Sequence, residues 1–164
     1  MRVVSNTSPL TNLAAIGQFE LLHCLYDKLY IAEAVWDELN ANGKHWPGRD
    51  EVAAADWITR QTVQNQTLVK ALRRDVDRGE AESIALALES KADLILLDER
   101  EGRHLANRLG LEISGIIGVL LEAKIQGIVE NVQPHLNALR QSAGFYINDS
   151  LYKTALKLAN EIKS

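Results

Sequence analysis

The sequence predicts an α/β fold in which a parallel sheet carries helices on both faces. Short β-type apolar segments alternate with segments of helical spacing along the chain. The run Leu94-Ile95-Leu96-Leu97 is continuously apolar and breaks at Asp98, the pattern of a central parallel strand. Glu80 to Ser90 reads as a helix apolar on most of its sides, which calls for burial.

The elements follow in order. Val3-Val4 closes a first strand, and Thr7-Ser8-Pro9 starts a helix with a hydroxyl cap and an early Pro. Leu10, Leu13, Ala14 and Ile16 keep helical spacing up to Gly17. Phe19 to Tyr26 is a second short helix, Leu29-Tyr30-Ile31 a strand, and Ala34 to Ala41 a helix ending before Gly43. Gly43 to Gly48, with Pro47, is a loop. Glu51 to Ala55 suits a helix and Trp57-Ile58 opens an extended piece, whereas Thr59 to Thr67 is polar and takes no assignment. After the strand at Leu94–Leu97 come a helix from Arg100 to Leu109, a strand at Ile113-Ser114, and helices over Ile116–Gln126 and Val132–Gln141. Asn148 or Asp149 caps a last helix with an apolar stripe of Leu151, Ala155, Leu158 and Ile162.

A length of 164 residues fits one domain spanning 1–164, with the C-terminal helices of 131–164 part of it. With 46% hydrophobic and 24% charged residues, the composition is that of an ordered globular chain. The opening Met1-Arg2-Val3-Val4-Ser5 has only a two-residue apolar run, so no signal peptide is expected, and no stretch is long enough for a membrane span. Cys24 stands alone, which excludes an internal disulfide and points to a reducing, cytoplasmic setting. The net charge of −4 weighs against a pure nucleic-acid-binding module, but not against an enzyme with an acidic site.

Several chemistries are missing. There is no G-x-G-x-x-G, Walker A loop or G-x-S-x-G elbow. His23, His45, His104 and His135 are scattered, which argues against zinc. No carboxylate follows the first strand directly, which argues against an aspartyl phosphotransfer enzyme. Cys24, among Leu21, Leu22 and Leu25, is expected to be a buried packing residue. Trp36, Trp46 and Trp57 are likewise expected to pack rather than to stack on bases.

In open α/β sheets ligands bind beyond the carboxyl ends of the strands. Ser5-Asn6-Thr7-Ser8, the helix carrying Asp37 and Glu38, and Asp98-Glu99 all follow strands, and Gly79-Glu80 opens a helix that can border the same edge. Carboxylate oxygens are hard ligands for Mg²⁺ or Mn²⁺. Crowded without a cation, they repel and take up protons. Taken singly, each of Glu38, Glu80 and Asp98 would be an ordinary solvated side chain.

Val3-Val4-Ser5-Asn6-Thr7-Ser8-Pro9-Leu10 resembles the opening strand and turn of PIN domains, and Ala34-Val35-Trp36-Asp37-Glu38-Leu39 their second acidic helix. Gly79-Glu80-Ala81-Glu82-Ser83-Ile84-Ala85-Leu86-Ala87 resembles their third motif, and Leu96-Leu97-Asp98-Glu99-Arg100 the fourth. Gly115 to Lys124 and Ala143 to Asp149 resemble a PIN-like subfamily described as nucleic-acid-binding or toxin-like. The resemblance implies a three-layer α/β/α sandwich and a metal-dependent endoribonuclease. It implies Mg²⁺ or Mn²⁺ held by Asn6, Glu38, Glu80 and Asp98, the last three catalytic. Glu82 competes for the place of Glu80, Thr7 and Ser8 stand beside the site, and Glu99 is an outer acid. The implied partners are RNA, an antitoxin protein and a second copy of the chain, for which the last helix offers its apolar stripe.

One position departs from the pattern. The first family acid is usually Asp, and here it is Asn6, whose amide oxygen can coordinate a cation without adding charge. The alternative is therefore a catalytically weak module that binds RNA or a protein. Lys70, Arg73, Arg74 and Arg78 precede the third motif, while Arg100, Arg103 and Arg108, with His104, follow the fourth. Arg100 and Arg103 are helix neighbours and candidates for phosphate contacts, with ion pairs to Asp75, Asp77 and Glu101 as the competing reading.

Overall fold

The computed structural model describes residues 1–41 and 43–162. Its strands are β1 (Val3–Ser5), β2 (Leu29–Ala32), β3 (Ile58–Gln61), β4 (Leu94–Leu96) and β5 (Ile113–Ser114). The helices are α1 (Thr7–Ala15), α2 (Leu21–Tyr26), α3 (Glu33–Leu39), α4 (Arg49–Ala54) and α5 (Gln66–Leu72) in the first half, then α6 (Arg78–Glu89), α7 (Arg100–Arg108), α8 (Ile116–Ile125), α9 (Gln133–Gln141) and α10 (Asp149–Leu158). The sheet order is β3-β2-β1-β4-β5 and every pairing is parallel.

Alternation along the strands divides the core in two. Val3, Leu29, Ile31 and Leu96 face one apolar cluster, shared with α1, α2, α8, α9 and α10. Val4, Ala32, Ile95 and Leu97 face the other, shared with α5, α6 and α7. The molecule is thus an α/β/α sandwich. β4 is an interior strand beside the central β1, and neither of its faces meets water: Ile95, Leu96 and Leu97 are fully buried. The helix at the third motif is buried from Gly79 to Ala87, as its composition predicts, and starts two residues earlier than expected, at Arg78.

Cys24 and Trp46 depart from expectation, and two open stretches, 59–67 and the last helix, take definite form. The unassigned polar stretch holds both β3 and the start of α5, which Asn65 caps by accepting from the Leu68 amide at 3.0 Å. Cys24 is exposed: α2 has under two turns, and its Leu21 and Leu22 take the buried side. Trp46 is 40% exposed, whereas Trp36 and Trp57 pack against the first core cluster. The inward face of α10 is Tyr152, Ala155, Leu156 and Ala159, while Leu151, Leu158 and Ile162 lie exposed.

The C-terminal helices are clasped by Glu161. Its Oε2 accepts from the Val132 amide at 2.7 Å and from Lys124 Nζ at 3.0 Å, and its Oε1 accepts from the Gln133 amide at 3.0 Å. Burial alone would raise its pKa, but these donors hold it below the ordinary carboxylate value. Glu161→Ala leaves two amides at the start of α9 without their acceptor and Lys124 without its counter-charge, holding only the Ala159 carbonyl. It is expected to cost about 2 kcal/mol, seen as a lower urea midpoint at unchanged slope.

Candidate functional site

Because the strands β1 to β5 all run the same way, their carboxyl ends form one edge. Asn6 follows β1 in the middle of the sheet, and its amide continues the ladder by donating to the Leu96 carbonyl at 3.0 Å. Strands β2 and β4 flank β1, so α3 brings Glu38 from one side and the end of β4 brings Asp98 from the other. A cleft of about 680 Å³ opens on this edge, lined among others by Asn6, Thr7, Ser8, Glu38, Asp77, Glu80 and Glu99.

Glu80 is the most deeply set acid of the cleft. Asp77 caps α6 by accepting from the Glu80 amide at 2.9 Å, which fixes the first turn. The side chain of Glu80 then lies against Gly102 of α7, where a Cβ would strike its Oε2. The residue is 7% exposed, and its Oε2 is buried without a hydrogen-bond partner. Burial, with the charges of Asp77, Glu99 and Glu38, pushes its pKa up to about 7.

Glu38 is more open. Its Oε2 accepts from Thr7 Oγ1 at 2.6 Å, and its Oε1 lies where Gly79 has no Cβ. Burial raises its pKa, Thr7 opposes the rise, Asp77 adds to it and Arg78 opposes it. Asn6 is 5% exposed, and its Oδ1 accepts from Ser83 Oγ at 3.4 Å.

Asp98 sits differently. It lines a second groove with Arg100, Arg103 and His104, and its neighbour Glu99 lines the cleft instead. Asp98 Oδ1 accepts from the Ile116 amide at 2.8 Å, at the start of α8, while Oδ2 is buried and unpartnered. Burial pushes its pKa up to about 6, opposed by the Ile116 amide and Arg103 and helped by Glu99. Among the described residues, no three His, Cys, Asp or Glu side chains converge closely enough to share one ion.

Glu82 is otherwise engaged. Its Oε1 accepts from the Ala34 amide at 3.1 Å and its Oε2 from Arg78 Nε at 3.0 Å, and Arg78 Nη1 also reaches Asp37 at 3.1 Å. Glu82 thus ties α6 to the start of α3, the two helices that carry Glu80 and Glu38. Asp77, which sequence reasoning treated only as an ion-pair partner, lines the cleft; its signal was the Asp-x-x-Glu pattern at a helix start.

The donor set suits a hard divalent cation. Asn6, Glu38, Glu80 and Asp98 all offer oxygen, and two buried carboxylate oxygens, Glu80 Oε2 and Asp98 Oδ2, have no protein partner. The arginines divide. Arg103 donates to the Leu97 carbonyl at 2.9 Å, whereas Arg73, Arg74 and Arg100 are exposed and form no ion pair among the described residues. These three line a groove that shares Asp77, Glu80 and Glu99 with the cleft.

Among the described residues no helix is long and apolar enough to cross a membrane. A search of curated proteins returns no match. A family model described as a PIN domain matches residues 2–161. PIN domains are nuclease-type domains that generally use divalent metals and typically bind nucleic acids. With nearly its whole length matched, the chain belongs to the PIN domain family.

Proposed function

We propose that this PIN domain is an endoribonuclease that works with Mg²⁺ or Mn²⁺. The observation that carries this reading is the buried, unpartnered carboxylate oxygen of Glu80, in one cleft with Asn6, Thr7 and Glu38. Glu38, Glu80 and the Asn6 amide oxygen would hold the cation and Asp98 would close the set from the neighbouring groove, which requires these side chains to draw together from the positions they take in this structure. When bound, the ion would neutralise charge at the phosphodiester and make a water more acidic. Thr7 holds the Glu38 carboxylate in place, and Ser8 lies beside it on α1. Arg100 offers an open guanidinium to phosphate, and Arg103 flanks it with the donors that its bond to Leu97 leaves. The lone Cys24 suits a cytoplasmic setting. We place a second copy of the chain on the exposed Leu151, Leu158 and Ile162; a monomer in light scattering at micromolar concentration would remove that assembly. A toxin role with an antitoxin partner rests on the resemblance, and an adjoining frame whose product blocks cleavage would carry it.

The test is cleavage of single-stranded RNA in EDTA, Mg²⁺ and Mn²⁺ by the wild type and by the Glu38→Ala/Asp98→Ala double variant. Metal-dependent cleavage is expected from the wild type alone. Equal rates from both proteins would mark a contaminant and end the enzyme reading.

A second reading, a binding module of weak activity, is favoured by Asn6, which puts a neutral amide where a fourth charge would stand. Asn6→Asp decides between them. A charge about 4 Å from another contributes a gross attraction of about 4 kcal/mol at an effective dielectric of 20, before desolvation. The variant is expected to bind Mn²⁺ at least tenfold more tightly in calorimetry, to cleave faster, and to be less stable without metal. Unchanged Mn²⁺ affinity would take Asn6 out of the site.

A further inference from the structure

Among the described residues, Trp46, between α3 and α4, is the one large aromatic side chain lining the cleft. Trp46 is 40% exposed and lines the same cleft as Asn6, Glu38 and Glu80. Exposed indole is costly in water, and neither core cluster includes it. The loop is nonetheless anchored. Gly48 adopts a left-handed φ of +94° and lies so close to α1 that a Cβ would meet the Leu10 carbonyl oxygen at 3.3 Å. The Arg49 amide donates to the Trp46 carbonyl at 3.2 Å, and His45 Nε2 pairs with Asp50 Oδ2 of α4 at 2.7 Å. Lys44 Nζ stands 5.0 Å from the centre of the Trp46 ring, over one of its two faces.

On the far side of the carboxylates, Asp77, Glu80 and Glu99 also line the groove of Arg73, Arg74 and Arg100. The edge therefore reads, in order, as an aromatic ring with a cation, a row of acids, and a cluster of exposed guanidinium groups. A polyanion with flat apolar bases has the chemistry to satisfy both ends while its backbone crosses the acids. A duplex does not, because its base faces are stacked inside.

We propose that Trp46 is a stacking platform for one base of a single-stranded RNA, with Lys44 at the adjoining phosphate and the strand running across Glu80 toward Arg73, Arg74 and Arg100. This rests on the ribonuclease reading and adds to it a residue that selects strand form and positions the substrate. A base stacked on an exposed aromatic ring contributes roughly tenfold or more to affinity, with little preference among bases.

The test is equilibrium binding of labelled oligouridine and oligoadenosine in EDTA, which stops cleavage, to the wild type, Trp46→Ala and Trp46→Phe. Trp46→Ala is expected to bind both strands about tenfold more weakly, and Trp46→Phe to stay near the wild type. Strands in which every nucleotide is abasic should lose affinity for the wild type but not for Trp46→Ala, and duplex RNA should bind the wild type and Trp46→Ala alike. Equal binding of the intact strands by all three proteins would overturn the platform and leave the ribonuclease reading standing. A wild type that binds neither strand while cleaving neither in Mn²⁺ would bring down both.

Discussion

Gly79→Ala is expected to lower RNA cleavage about a hundredfold while the chain stays folded, since small displacements of positioned groups cost about that much. The new methyl group would collide with Glu38 Oε1. The obstacle is the end of a flexible side chain, so the backbone need not move. Glu38 must instead swing away and give up its 2.6 Å bond from Thr7. Gly79 is the second residue of α6, where Ala is a better helix former than Gly, so stability is expected to hold. Gly102→Ala is the harsher counterpart. Its methyl would meet Glu80 Oε2 and also Leu97 Cδ2 at 3.2 Å, so it disturbs core and carboxylate together. Cleavage rate and melting temperature, measured side by side, separate the two. A Gly79→Ala protein that folds and cleaves at the wild-type rate would place Glu38 outside the reaction.

In EDTA the protein is expected to melt at lower temperature as pH rises from about 5 to 8, and Mn²⁺ to abolish or reverse the trend. Three raised acids, Glu38, Glu80 and Asp98, set the sign, and His135, lowered by burial, opposes them within the window without outweighing them. Glu80 moves from 4.5 to about 7 and Asp98 from 3.8 to about 6, first through burial. A group whose folded pKa is raised stabilises the fold while protonated, and that contribution is lost as pH climbs through the folded value. For Glu80 the shift amounts to a penalty on the order of 3 kcal/mol at about 1.4 kcal/mol per unit, or about 6 to 12 °C in melting temperature for a chain of this size. Glu161 and Asp50 are shifted the other way, so their contributions fade only below the ordinary carboxylate range, outside the window. Bound cation favours the charged carboxylates, so its stabilisation grows with pH and opposes the loss. Glu80→Gln keeps the shape and removes the titration, and should flatten most of the EDTA curve. A wild-type curve in EDTA that is flat or rises from pH 5 to 8 would contradict the buried placement of these acids.

The parts legible in the sequence are those whose physics is local. Strand β4 announces itself because both faces are buried, and the buried run from Gly79 to Ala87 because nearly every position is small or apolar. Edge strand β3 is silent. Thr59, Arg60 and Gln61 pair their backbones with β2 while their side chains stay partly in water, so no apolar pattern is required of them. The six residues of α2 and the single turn before α4 are too short for periodicity to tell one side from another, so the sequence does not distinguish the exposed Cys24 and Trp46 from packed residues. On α10 two apolar stripes compete one residue apart, and only the packing partners choose between them. The site shows the same division. Asn6, Glu38 and Glu80 are marked by their own segments, whereas the turn of Asp98 away from the cleft depends on the Ile116 amide, eighteen residues along the chain.

The pairing of β1 with β4 also sets an order of events at the ribosome. Val3 meets Leu94, 91 positions later, and the cleft needs Glu80 and Glu99 from the same late segment. At roughly 5–20 residues per second, the first strand waits about 5 to 18 s for its neighbour. A nascent chain released before residue 80 would hold Asn6 and Glu38 but not Glu80, so translation that aborts there yields a fragment with no assembled cleft.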